Sequence, residues 1–432
     1  MNKNKILCDT LMKYSKENIS TGGKGNFLFE GDNIEVMQML IENNIKVKVI
    51  YFDSPYNTGT NKYEYKDKFK EDEWEKFMEE RLIKAKDILE DSGAIYLSID
   101  SHELSTLKNL CDTVFGKKNC MALINIYMRS YEKSLNEKAI FANNMEYLLI
   151  YCKNRDKVEI KRLKKCIKLE NYKYKIRINV ENPETLNLGE HKIEIYKKGM
   201  YEKIACNDID DKEILKEEYS SGKKLKNHWT STYYKKHLQD RRKLDGDDTL
   251  YKIYDLGEDG LGYRYIKQPS KNYKNGIYYQ GIPTKYREEA EEKGISLGNV
   301  EIEVPYEDTL DLSIENEIGD KDLSTILGKK YNINPKPIEL MEYILNMHDK
   351  EAVILDAFAG SGRMGQAILK KNSEDEGNRI FILCQKVEGK ESGNICKEIT
   401  YKYINKIIEN NSYNEDLIYC SIDSEHNTNT DI

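Results

Sequence analysis

Two apolar runs lying far apart in the chain each end in an aspartate and break at once into a turn. Residues 47–53 (VKVIYFD) stop at Ser54-Pro55, and residues 352–356 (AVILD) run into Ala357-Phe358-Ala359-Gly360-Ser361-Gly362. Both runs are short, apolar and bounded by turn formers, so each predicts a buried strand. Helical spacing accompanies them: Ile34, Met37, Leu40 and Ile41 share one face of 33–43, and 363–371 follows the glycine-rich turn. Further strands are predicted at 26–32, 94–100, 146–152 and 379–385, and further helices near 71–90, 335–346 and 395–409. Asp100 with Glu103 predicts an N-terminal cap for the helix that follows. Strand alternating with helix is the unit of a parallel α/β sheet. The polar stretch 57–70, rich in Asn, Lys and Tyr, predicts a mobile loop.

Between about 154 and 305 the character changes. Apolar periodicity weakens, charge rises and tyrosine becomes dense, which predicts an inserted domain with its own fold. The expected organisation is an N-terminal extension (1–25), a first α/β half (26–153), the insertion (154–305), a second α/β half (306–412) and a frayed tail (413–432). The net charge of −7 is segregated. Residues 153–177 hold eleven Lys/Arg against three Asp/Glu, and 261–287 hold six with no acid. Such runs are solvated faces or phosphate-binding surfaces, and total charge does not forbid the second reading. The nine cysteines form no C-x-x-C pair or zinc-spaced cluster, so reduced thiols in a cytoplasmic protein without a structural metal are expected. No run approaches the ~18 apolar residues of a membrane span. The lysine-bearing first twenty residues lack the apolar core of an export signal.

The turn after Asp356 suits a nucleotide-containing cofactor. Glycines let a ligand approach the backbone, and a helix N-terminus offers free N–H groups. The full G-x-G-x-x-G spacing and a Walker lysine are both missing, which disfavours pyrophosphate and triphosphate. A smaller cofactor carrying a carboxylate fits better, and the alternative is an ordinary tight βα turn. Asp53-Ser54-Pro55-Tyr56 follows a buried strand, at the carboxyl edge where open α/β sheets bind ligands. An acid, a rigid turn and an aromatic there can hold a flat polar base, although the tetrapeptide alone also reads as a strand-ending turn.

Together the two segments resemble the catalytic (DPPY) and cofactor motifs of amino-methyltransferases. Their order, catalytic motif first, resembles the β class of adenine-N6 DNA methyltransferases and most of all the modification subunit of type III restriction–modification systems. The likeness spans most of 26–153 and 318–390. Its flanking segments include Gly31-Asp32-Asn33, Gly93 to Asp100 (GAIYLSID), Phe115-Gly116, Asn334-Pro335-Lys336-Pro337 and Asn378 to Gln385. The resemblance implies a Rossmann-like S-adenosylmethionine-dependent methyltransferase sheet in circularly permuted order, with an inserted α+β target-recognition domain. It implies methylation of adenine N6 in double-stranded DNA after base flipping. Asp53 and the Ser54 carbonyl would accept the amine hydrogens beside Pro55, and Tyr56 would stack on the base.

For S-adenosyl-L-methionine the resemblance implies Asp356, Phe358, Gly360, Gly362 and Gln385. Asp32 is open between cofactor contact and helix cap, and Lys336 between the cofactor region and the surface. Ser54 stands where the family has proline, and Arg363-Met364 where it has small threonines. These departures bear on rate and leave a catalytically inactive DNA-binding module as an alternative. A cytosine-N4 enzyme is the other, although its motif opens with Ser. Within the insertion, Arg264, Lys267, Lys271, Lys274 and Tyr278 are candidates for phosphate contact and stacking, with packing as the competing role for the tyrosines. A homodimer and a separate nuclease–helicase subunit are the implied protein partners.

Overall fold

The structure is a computed structural model, which describes residues 3–16, 25–59, 64–70, 72–128, 144–219, 232–273, 275–388 and 393–422. Two compact units emerge, Met1–Leu163 with Pro305–Ile432, and Lys164–Val304. The first therefore runs several residues past the point at which the composition changes.

Its centre is a nine-stranded mixed sheet. The first five strands in chain order are β1 (Asn26–Glu30), β2 (Val47–Phe52), β3 (Leu89–Ile99), β4 (Cys120–Tyr127) and β5 (Met145–Cys152). Across the sheet the order is Thr309–Asp311, β4, β5, β3, β2, Val353–Asp356, Ile380–Gln385, β1 and Leu417–Ser421. Strand β5 is antiparallel to β3 and β4, while the pairings from β3 through to Leu417–Ser421 are parallel. This is a Rossmann-like arrangement, and every residue of β2, of Val353–Asp356 and of Ile380–Gln385 is buried. Helices and apolar side chains cover both faces of such strands, which explains their unbroken apolar character. The decisive pairing is β2 beside Val353–Asp356, with Tyr51 opposite Asp356 and the Ala357 N–H donating to the Tyr51 carbonyl at 3.1 Å. The two motif strands thus end side by side.

Several expectations change. The tail is partly structured, because Leu417–Ser421 completes the sheet against β1. The N-terminal extension contains helix α1 (Lys3–Leu11), which buries Leu7, Cys8 and Leu11 in the core of the first unit. Among the described residues no side chain caps helix α4 (Leu104–Phe115). Asp100 instead accepts from the His102 N–H at 2.9 Å, and Glu103 accepts from Asn57 Nδ2 at 2.8 Å. The described ends of the 57–70 stretch are tied together: the Asn57 N–H donates to Asp67 Oδ1 at 2.9 Å, and the Gly59 N–H to the Asp67 carbonyl at 3.0 Å.

The second unit is built on an eight-stranded antiparallel sheet, with Leu215–Tyr219, Ile277–Gly281, Tyr263–Lys267 and Leu250–Tyr254 adjacent in that order. Helix Thr284–Lys293 belongs to the same unit. Tyrosines fill much of its interior, among them Tyr251, Tyr265, Tyr278 and Tyr279. A small core can use them because the ring is apolar and the hydroxyl finds a partner. Tyr251, for example, donates to Asp245 at 2.8 Å. Among the described residues no helix is long and apolar enough to cross a membrane.

Candidate active site

Because β2 and Val353–Asp356 lie side by side, the segments that follow them line one cavity of about 470 Å³. Asp53, Ser54, Pro55 and Tyr56 form part of its wall, and Asp356, Phe358, Gly360 and Ser361 another. Lys336 and Gln385 complete the group of expected residues that reach it.

Helix α3 (Glu73–Ile88) anchors the first wall. Its buried Trp74 donates from Nε1 to the Pro55 carbonyl at 2.7 Å. Asn57, left-handed at φ 58°, accepts the Phe69 N–H at 3.0 Å. Ser54 Oγ is buried and has no hydrogen-bond partner among the described residues.

Asp53 sits in a charged cluster. The Tyr56 hydroxyl lies 3.2 Å from Asp53 Oδ1 and 3.1 Å from Glu146 Oε2, able to donate to either. Lys336 Nζ donates to Glu146 Oε2 and to the Tyr56 hydroxyl oxygen, each at 2.6 Å, and stands 3.4 Å from Asp53 Oδ1. Burial pushes the Asp53 carboxyl above the usual carboxylate range, Lys336 opposes that rise and Glu146 adds to it. Burial alone would lower the Lys336 ammonium, but Asp53 and Glu146 reverse this and hold it charged. Burial and the same two carboxylates keep the proton on Tyr56.

The second wall is differently charged. Asp356 is 2 % exposed and accepts the Phe358 N–H at 3.1 Å. Burial pushes its carboxyl up to about 8, a rise that the Phe358 N–H moderates and the Asp53 charge reinforces. Gly360 is left-handed at φ 51°, and its N–H donates to Gln385 Oε1 at 2.8 Å. A Cβ at Gly360 would meet only the Phe358 carbonyl, at 3.9 Å, and would otherwise occupy cavity space. Phe358 packs edge-on against Phe52, with ring centroids 5.4 Å apart.

Other expected residues lie elsewhere. Asp32 does not line the cavity. It caps helix α2 (Asn33–Glu42) through the Ile34 N–H and pairs with Arg81 at 2.8 Å. Gly362 also lies outside the lining, and a Cβ there would meet Ile404 Cγ1 at 3.0 Å, so the glycine permits close helix packing. In the second unit Arg264 is buried beside Asp259, and Tyr278 is a core residue, so neither is at the surface where DNA contact was expected. Both faces of these central strands are covered, since the consecutive residues Arg264, Tyr265 and Ile266 are all buried, as are Tyr278 and Tyr279. Lys267 pairs with Asp248 at 3.2 Å, Lys271 is exposed, and Lys274 lies outside the described residues. Glu146 and Trp74 were not foreseen. Glu146 had one local sign, a charged residue in an otherwise apolar strand, and Trp74 reads as an ordinary member of the apolar face of its helix; nothing local named either partner. Among the described residues no group of three or more His, Cys, Asp or Glu is arranged to hold a metal.

A family model described as DNA methylase matches residues 47–410. The type III restriction-modification enzyme StyLTI Mod subunit of Salmonella typhimurium is 26% identical over 88% of this chain and 55% of its own length. The EcoPI Mod subunit of Escherichia phage P1 is 26% identical over 84% and 58%. The chain thus spans a little over half the length of these curated relatives. The type II methyltransferase M.KpnI of Klebsiella pneumoniae is 27% identical over 83% of this chain and 80% of its own.

Proposed function

The chain belongs to the DNA methylase family, and from that premise we propose that it methylates the exocyclic N6 of adenine in double-stranded DNA, using S-adenosyl-L-methionine, as the modification component of a restriction–modification system. The observation that carries this reading is the single cavity lined by both Asp53–Tyr56 and Asp356–Ser361.

The cofactor supplies a methyl group already activated on a sulfonium, so the chain needs no covalent nucleophile. The residues present fit it. Asp356 is a buried acid with unused acceptor capacity beside a glycine whose missing side chain leaves cavity space. A ligand ammonium would stabilise the ionised carboxylate there, and Phe358 and Gln385 line the same end.

The remaining problem is the target amine, whose lone pair is delocalised into the adenine ring. Asp53 and the Ser54 carbonyl accept its two hydrogens and favour a more tetrahedral, nucleophilic nitrogen. Tyr56 offers its ring to a base taken out of the helix, which is the only way N6 can reach a donor in line. Catalysis here is positioning and electrostatic fit. Adenine is preferred to cytosine because the motif opens with Asp53. The second unit is the DNA-contacting part, with the exposed Lys271 among its phosphate contacts. A homodimer, a separate nuclease–helicase subunit and a cytoplasmic setting complete the reading.

Purified protein is expected to transfer a labelled methyl group to unmethylated DNA, and Asp53→Ala to abolish transfer while DNA binding persists. Label recovered on cytosine would overturn the adenine assignment. Absence of transfer by the unmodified chain on DNA of varied sequence would overturn the enzymatic one.

A further inference from the structure

The cluster around Asp53 holds two carboxylates and one ammonium inside the cavity wall, and the distances are unequal. Lys336 Nζ lies 2.6 Å from Glu146 Oε2 but 3.4 Å from Asp53 Oδ1. The short hydrogen bonds of the ammonium therefore go to Glu146 and to the Tyr56 hydroxyl oxygen. Asp53 receives the positive charge without a short hydrogen bond from it. The lysine and Glu146 side chains are only 5% and 16% exposed, so solvent screens the pair weakly. Glu146 comes from β5 and Lys336 from the turn before helix Ile338–Leu345, and Lys336 reaches both Glu146 and Asp53, the residue after β2. Tyr51, Tyr65, Asp67, Asp100, Asp356, Arg363 and Glu388 are the other titratable groups that line the same cavity.

Removing the ammonium would leave Asp53 and Glu146 facing each other across the Tyr56 hydroxyl. Two carboxylates sharing a buried site cannot both stay ionised, and one takes up a proton. A protonated Asp53 would present a hydroxyl where an acceptor is wanted. Removing Glu146 would free the ammonium to close on Asp53 and occupy its oxygens.

Resting on the reading of Asp53 as the amine's acceptor, we propose that Glu146 and Lys336 are a positioning pair: Lys336 holds a positive charge beside Asp53, and Glu146 holds Lys336 back so that the Asp53 oxygens stay available to the amine. Neither is a catalytic residue, since each acts through Asp53.

The test uses the full chain and its Lys336→Met, Lys336→Arg and Glu146→Gln variants, each checked for a cooperative thermal transition. Carbon-13 NMR of labelled aspartate carboxyls follows the Asp53 titration, assigned by the signal lost in Asp53→Asn. In Lys336→Met the Asp53 midpoint is expected to rise by about one pH unit or more, and Lys336→Arg to restore it. In Glu146→Gln the midpoint is expected to fall, yet methyl transfer to slow about tenfold or more, as Lys336 closes on Asp53. Two variants that shift the midpoint in opposite directions and both slow transfer would not arise from a merely structural role. An Asp53 midpoint unchanged in Lys336→Met overturns the proposal, and so does Glu146→Gln with full transfer activity. Should Lys336→Met not fold, the Glu146→Gln midpoint decides, with an unshifted value overturning the proposal. The titration reads the pair whether or not methyl transfer occurs, so loss of the proposed function would show separately, as an inactive unmodified chain.

Discussion

A buried carboxylate with few donors is poorly placed to carry a charge unless a cation joins it, and Asp356 is such a group. Its pKa of about 8, against an ordinary 3.8, means that the folded chain without ligand favours the protonated form. The resulting stability is fully present below the unfolded value of 3.8 and is lost as pH rises through about 8. Asp356→Asn should remove this dependence, so its melting temperature should exceed that of the parent by a margin that grows from pH 5 to 8, read by calorimetry. Binding of a ligand ammonium runs the other way, because the ligand takes the ionised form. Affinity for S-adenosylmethionine should fall about tenfold per pH unit below 8 and become weak and flat in Asp356→Asn, measured by titration calorimetry. An affinity independent of pH between 6 and 8 would remove Asp356 from the cofactor site.

At the scale of elements, the turn proposed as catalytic is held from outside itself. Strand β2 delivers Asp53 to the sheet edge, but the course of Ser54-Pro55-Tyr56 is set partly by α3, whose Trp74 donates to the Pro55 carbonyl. Trp74→Phe keeps most of the apolar volume and deletes that one hydrogen bond. It is expected to cost about 1 kcal/mol in denaturant unfolding, the usual worth of such a bond. It should slow methyl transfer more than it weakens cofactor binding, because Asp356 and Gly360 belong to the neighbouring turn. Equal losses in both would mean that α3 supports the sheet in general and not the turn in particular. The same division explains what could be read locally. Asp53 and Asp356 were legible because each ends an apolar strand inside a short motif. Glu146 was not, because it lies in an apolar strand and its ion-pair partner is 190 residues away.

For the whole molecule, the two compact units give basic residues very different roles. Arg264, in a run that reads as a phosphate-binding surface, lies buried beside Asp259, itself 2% exposed as a side chain. Arg264→Ala removes the ion-pair partner of that carboxylate and leaves it only the backbone N–H groups of Gly281 and Leu261, and is expected to destabilise the second unit by about 3 kcal/mol. Differential scanning calorimetry should show one transition lowered while S-adenosylmethionine binding by the first unit survives. A variant as stable as the parent, with DNA affinity alone reduced, would return Arg264 to the surface role first expected of it. The sequence by itself determined the α/β class, the order of the motif strands and the placing of Asp53 and Asp356 at strand ends, because strand periodicity and turn residues act over a few neighbours. The tertiary structure alone decided that β2 and Val353–Asp356 are adjacent, that Leu417–Ser421 joins β1, and that Lys336 answers to Glu146. It also turned Arg264 and Tyr278 inward. Those outcomes depend on strand pairing and on charge burial between residues distant in the chain, and no local pattern encodes which partner a buried charge will find.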